Sequence, residues 1–139
     1  MKKLFSLLLV LAMVLSMSLA AADSAETIKI GVIAYGSAAA RASILGYFMN
    51  GWEVAAEQVN AAGGIDGKQI EIKVYDPEND ASMIGQRCTD AKNDGCVAIV
   101  FAYGDDMAPA AGQWALTNHF PVMMMPNTST EVTIKNWSD

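Results

Sequence analysis

Two hydrophobic spacings alternate along the chain. Thr27-Ile-Lys-Ile-Gly-Val-Ile-Ala34 is rich in β-branched residues and turns almost continuously apolar, which predicts a strand buried on both faces. From Ala42 to Ala62, the residues Ile44, Phe48, Trp52, Ala55 and Val59 recur at steps of three or four, with Glu53, Glu57 and Asn60 off that line, which predicts a helix packed on a sheet. Gln69 to Asp76 alternates, with Ile70, Ile72 and Val74 on one side, as a strand near a sheet edge does. A helix capped by Asn79 or Asp80 follows, with Met83, Ile84, Cys88 and Ala91 as its buried stripe and Asp94-Gly95 as its stop. Cys96 to Ala102 reads as a second fully buried strand. Ala108-Pro109 opens a helix whose inner face is Ala111, Trp114 and Ala115, and Phe120 to Pro126 forms the last strand. Regular alternation of strand and helix predicts an α/β fold, a parallel sheet with right-handed crossovers and helices on both faces.

Within this pattern the stretch NAAGGIDGKQIEIKVYD, Asn60 to Asp76, packs Gly63, Gly64 and Gly67 together. A phosphate-binding loop needs such glycines after a strand and before a helix, so that backbone N–H groups at the helix start face the anion. Here they run from helix to strand. Gly63 and Gly64 fall where a left-handed helix end favours glycine, and Asp66-Gly67 is a turn pair. The exit of the first strand, AYGSAAARASILG, also lacks the close glycine spacing of a dinucleotide fingerprint.

The ends and the charge narrow the class. Lys2 and Lys3 form a positive start, Leu4 to Leu15 an apolar run too short to span a bilayer comfortably, and Ser18-Leu19-Ala20 or Ala20-Ala21-Ala22 a small-residue cleavage site. Residues 1–22 are therefore expected to be a signal peptide, with no stable membrane anchor after cleavage and a periplasmic location. Removing them takes away two lysines and no acid, so the net charge of −6 becomes −8, which argues against nucleic acid as a partner. Cys88 and Cys96 would then meet an oxidising compartment. A disulfide across the short Asn93-Asp94-Gly95 turn is the expectation, and two buried thiols the alternative. With His119 as the single histidine, the chain offers too few ligands for a metal site, and no cofactor is expected.

In open parallel sheets ligands bind beyond the carboxyl ends of the strands. The segments there are Tyr35-Gly36-Ser37-Ala38, Asp76-Pro77-Glu78, Tyr103-Gly104-Asp105-Asp106 and Asn127-Thr128-Ser129-Thr130. Asp105-Asp106 occupies the place of a receiver-domain phosphoacceptor, but the first exit supplies no acids to hold magnesium. His119 belongs to the opposite end of the sheet, and no nucleophile, base and orienting group come together, so an exported enzyme on a flavodoxin-like sheet is the weaker reading. Met123, Met124 and Met125 point to alternate faces of a strand and cannot converge on copper.

With "IKIGVIA", "GWEVAAEQVNAAGGIDGKQIEIKVYD", "NDGCVAIVFAY" and "FPVMMMPNTSTEVT" in that order, residues 27–133 resemble the amino-terminal lobe of type I periplasmic solute-binding proteins, the leucine/isoleucine/valine-binding family. The resemblance implies a flavodoxin-like lobe, partial and truncated over residues 23–139, that closes with a second lobe on a small polar solute and serves an ABC permease. It also implies ligand contacts from Tyr35, Gly36 and Ser37, from Tyr103, Gly104, Asp105 and Asp106, and from Asn127, Thr128 and Ser129. The middle group of such proteins commonly carries small hydroxyl residues that receive an amino-acid carboxylate. Here two acids stand in that place and would repel an anion, which shifts the expected solute toward a cationic, amide or urea-like molecule. The ligand-sensing domain of a receptor uses the same lobe. Mass spectrometry of exported material is expected to show a chain beginning at residue 21 or 23; an intact Met1 in a soluble periplasmic fraction would contradict the signal-peptide reading.

Overall fold

The computed structural model describes residues 26–34 and 44–125. Four parallel strands, β1 (Thr27–Ile33), β2 (Gln69–Tyr75), β3 (Cys96–Phe101) and β4 (Val122–Met124), alternate with three helices, α1 (Ile44–Ala61), α2 (Ile84–Asn93) and α3 (Ala108–Asn118). The strand order is β2-β1-β3-β4. It is the α/β architecture expected from the alternating pattern, with β1 in the interior and β2 near one edge.

Side chains of the sheet point alternately to two cores. On one face, Ile33, Tyr75, Ile99 and Phe101 pack with Ile84, Cys88 and Ala91 of α2 and with Ala108 and Ala111 of α3. On the other, Val32, Ala34 and Ala102 pack with Met49 of α1, flanked by Trp52, Ile72, Val74 and Val100. Burying an aliphatic or aromatic side chain in this way stabilises the fold by about 1.5–3 kcal/mol each. The inner face of α1 is rotated slightly from the predicted stripe: Met49 is buried and Ala56 half-buried, whereas Ala55 is exposed. An apolar cavity of about 180 Å³ remains between Trp52, Ala56 and Val59 of α1 and Ile30, Ile72 and Val100 of the sheet.

Strand β3 is less buried than predicted, because Val97 is 56% exposed. Lys29 pairs with Cys96 and Ile30 with Ala98, so Val97 is the additional residue of a bulge and leaves the ladder.

The glycine-rich stretch is a connector, as its helix-to-strand direction predicts. Gly64 takes a φ of 78°, donates its N–H to Val59 O at 2.9 Å, and would place a Cβ 2.1 Å from Lys68 O. Ile65 and Lys68 exchange both backbone hydrogen bonds at 2.9 Å around Asp66 (φ 51°) and Gly67 (φ 79°), the positive-φ pair of a tight primed turn. Asn60 completes the junction: its Nδ2 donates to Ile70 O at 2.9 Å and its Oδ1 accepts the Ile70 N–H at 2.6 Å. One side-chain amide thus pairs with β2 as another strand's peptide would.

The α2–β3 turn is held by Asp94, whose carboxylate pairs with Lys73 and accepts the Tyr75 hydroxyl at 2.8 Å. The Lys73 hydrogen bond, followed by that from Tyr75, holds the Asp94 carboxyl below its ordinary value. Burial, then the bond to Asp94, raises the Tyr75 phenol well above its usual range.

The expected disulfide is corrected by the structure: Cys88 and Cys96 are both buried free thiols. The reason is axial. Ala91 is the α2 residue that meets β1 at Gly31, beside Cys96 Sγ, and a rise of about 1.5 Å per residue sets Cys88 roughly 4.5 Å farther along the helix. Cys96 Sγ instead lies 3.7 Å from the Tyr75 hydroxyl, and burial pushes the Cys88 thiol up to about 12.

Two measurements check this packing. Thiol titration under denaturing, non-reducing conditions is expected to give two thiols per chain, with slow reaction in the folded state; a count of none would restore the disulfide. In urea unfolding, Asn60→Ala is expected to lower stability by about 1–3 kcal/mol, since it removes both bonds to a half-buried Ile70 peptide. A loss within error of zero would show that Asn60 does not hold α1 to β2.

Candidate solute-binding edge of the sheet

The register of the ladder decides where functional groups gather. Ile33 pairs with both Tyr75 and Phe101, and Phe101 with Met124, so the four strands end level. The pairing continues one step further, through Ala34 N to Tyr75 O at 3.3 Å, Ala102 N to Ile33 O at 2.9 Å and Met125 N to Phe101 O at 2.8 Å. Segments leaving β2 and β3 therefore emerge at one carboxyl edge, on either side of β1. Of the residues expected there, Tyr103, Gly104, Asp105 and Asp106 are described; Tyr35, Gly36, Ser37, Asn127, Thr128 and Ser129 lie outside the described residues.

After β3 the chain passes through Tyr103, which is 3% exposed, and turns at Gly104, where Met107 donates its N–H to Gly104 O at 3.1 Å. Asp105 is half-buried and Asp106 exposed. Asp106 folds back over the turn: its Oδ1 lies 2.6 Å from where a Cβ on Gly104 would stand, so a side chain at 104 would make the carboxylate swing aside. Met107 holds the N-cap position of α3, with no side-chain cap bond, and the first turn contains Pro109 and no acid. The positive end of α3 nonetheless favours negative charge just before it. Gly104 and Asp106 therefore present a small, negatively charged surface at the strand exit, suited to an N–H donor.

Asp76-Pro77-Glu78, one of the strand exits singled out in the sequence, forms a hydrogen-bonded turn that runs on to Asp80. Asp76 Oδ1 accepts the Glu78 N–H at 2.8 Å. Asp80 caps the short 3₁₀ turn Ala81–Met83, its Oδ1 accepting the Ser82 N–H at 2.9 Å and the Ser82 hydroxyl at 2.7 Å. These bonds lower the Asp80 carboxyl from its ordinary value. Tyr103, expected to touch ligand, accepts the Asn79 N–H through its hydroxyl at 2.9 Å, and its ring is buried. His119 is exposed and closes α3 in a left-handed conformation (φ 48°), away from this edge. Among the described residues, no three His, Cys, Asp or Glu side chains are grouped to hold a metal ion, and no helix is long and apolar enough to cross a membrane.

The sequence profile of the periplasmic binding proteins matches residues 27–138, and the chain belongs to that family. Among solved structures it resembles the branched-chain amino acid transporter substrate-binding protein LivJ of Streptococcus pneumoniae, in complex with isoleucine, at 29% identity and a TM-score of 0.64, over 78% of this chain and 31% of that one. The leucine-, isoleucine-, valine-, threonine- and alanine-binding protein of Brucella ovis, in a closed conformation, matches at 24% identity and a TM-score of 0.58, over 68% of this chain and 24% of that one. An ABC transporter substrate-binding protein of Desulfitobacterium hafniense shares the fold at 17% identity and a TM-score of 0.63, over 81% of this chain and 32% of that one. The chain thus spans about a third or less of the length of the solved proteins it matches. No match was found among curated protein sequences.

Proposed function

We propose that this chain is part of the extracytoplasmic solute-binding component of an ABC-type import system, and that its solute is an amino acid or related small polar molecule presenting an ammonium, guanidinium or amide donor. The observation that carries the reading is Asp106, exposed at the carboxyl edge with its carboxylate folded over Gly104. A carboxylate in this place accepts a charge-assisted hydrogen bond from an N–H group and repels an anionic one. Family membership and the transporter substrate-binding proteins among the similar structures support transport as the purpose of that binding. The solute would lie between this lobe and a second one, with Asp105, Asp106 and the neighbouring strand exits forming one wall. A single wall leaves the solute half wet, so the chain alone should bind weakly.

Calorimetric titration of the chain with arginine, glutamine, urea and leucine tests the proposal. Arginine or glutamine is expected to bind, and Asp106→Ser to weaken that binding about tenfold, the worth of one charge-assisted hydrogen bond of about 1.5 kcal/mol. Identical solute profiles in the wild type and the variant would contradict a carboxylate-defined site.

A further inference from the structure

The turn that follows β2 has a backbone its residues do not adopt readily. Glu78 and Asn79 are both left-handed, with φ of 56° and 62°, a conformation that asparagine tolerates best after glycine and that is unfavourable to Glu78. Two points within the turn hold it: Pro77 is fully buried, and Asp76 Oδ1 receives the Glu78 N–H. A third comes from another strand. The Tyr103 hydroxyl accepts the Asn79 N–H at 2.9 Å and reaches Asp76 Oδ1 through a longer donation of 3.4 Å. The tyrosine ring cannot follow a shifting turn, because it is buried beside Phe101, with ring centroids 6.3 Å apart. Tyr103 is also the residue immediately before Gly104-Asp105-Asp106, so one phenol fixes the exit of β2 against the exit of β3.

We propose that Tyr103 is a positioning residue of the solute site, and that through it the Asp76–Asp80 turn forms part of the site's wall, although Tyr103 touches no solute. This inference rests on the solute-binding reading above. Without the hydroxyl, Asn79 N–H loses that acceptor, and the left-handed pair keeps only the holds within its own turn. A solute arriving at Asp106 must then order that wall as it binds, and affinity falls although the contacting carboxylate is intact.

Tyr103→Phe keeps the ring and removes only the bond. Hydrogen exchange followed by NMR on the intact chain reads the tie with no solute present: the Asn79 amide is expected to exchange about tenfold faster in the variant, the equivalent of one hydrogen bond, while the amides of β1 and β3 keep their wild-type rates. Calorimetry with arginine and glutamine reads the consequence, an affinity loss of roughly three- to tenfold with an unchanged melting temperature. An Asn79 amide that exchanges alike in both proteins overturns the tie, and unchanged affinity in a variant whose Asn79 amide has been released overturns the positioning role. A wild-type chain silent to every solute contradicts the functional reading, and the exchange result still decides whether Tyr103 joins the two turns. Asp76→Ala removes the shared carboxylate from the opposite side and should reproduce both effects; if Tyr103→Phe does not fold, the same two readouts on Asp76→Ala decide.

Discussion

Helix α2 lies against β1 at Gly31 so closely that a Cβ on that residue would stand 2.9 Å from Ala91 Cβ and 3.4 Å from Cys96 Sγ. That approach is available only to a strand without a side chain at this point. Because α2 can sit there, β1 is covered on both faces: Val32, 1% exposed, faces the α1 side, and Ile33, fully buried, faces the α2 side. A doubly covered central strand is the condition for a parallel sheet, whose crossover helices must occupy the faces.

The site inherits its geometry from this strand. Both β2 and β3 take their register from β1 at Ile33, and β4 takes its own from β3. Slippage of any strand by one residue would exchange its two faces and bury the wrong side chains, so packing on the two cores also keeps the strand ends level. The polar turns after β2 and β3 are thereby brought together without direct sequence contact. Their charge is then set locally: glycine at 104 admits the Asp106 carboxylate, and the nearby start of α3 favours it.

Much of this was readable in the chain. Strand and helix positions followed from spacing because both cores are built from long periodic runs, and the orientation of Gly63 and Gly64 after a helix identified them as connectors rather than a phosphate cradle. What the sequence hid depended on three-dimensional offsets. The Val97 exposure comes from a bulge that shifts the pairing between Lys29 and Ile30, and the separate thiols come from the axial displacement of Cys88 from Ala91. Asn60 looked like an ordinary polar residue off the helix stripe, yet its amide clamps Ile70. The carboxyl-edge location of the candidate site was legible from topology alone; the tie from Tyr103 to Asn79 was not, because it joins residues 24 positions apart whose types carry no mutual signal.

The central claim is that the carboxyl edge of the sheet, and not the apolar cavity beneath α1, receives a polar solute. Amide chemical-shift mapping of the labelled chain during titration with arginine and glutamine tests it most directly. The account predicts that the shifts concentrate at Ala34, Asn79 and Gly104 to Met107 while Val59, Ile72 and Val100 stay still. Shifts centred on those cavity residues, with Gly104 to Met107 unmoved, would contradict it.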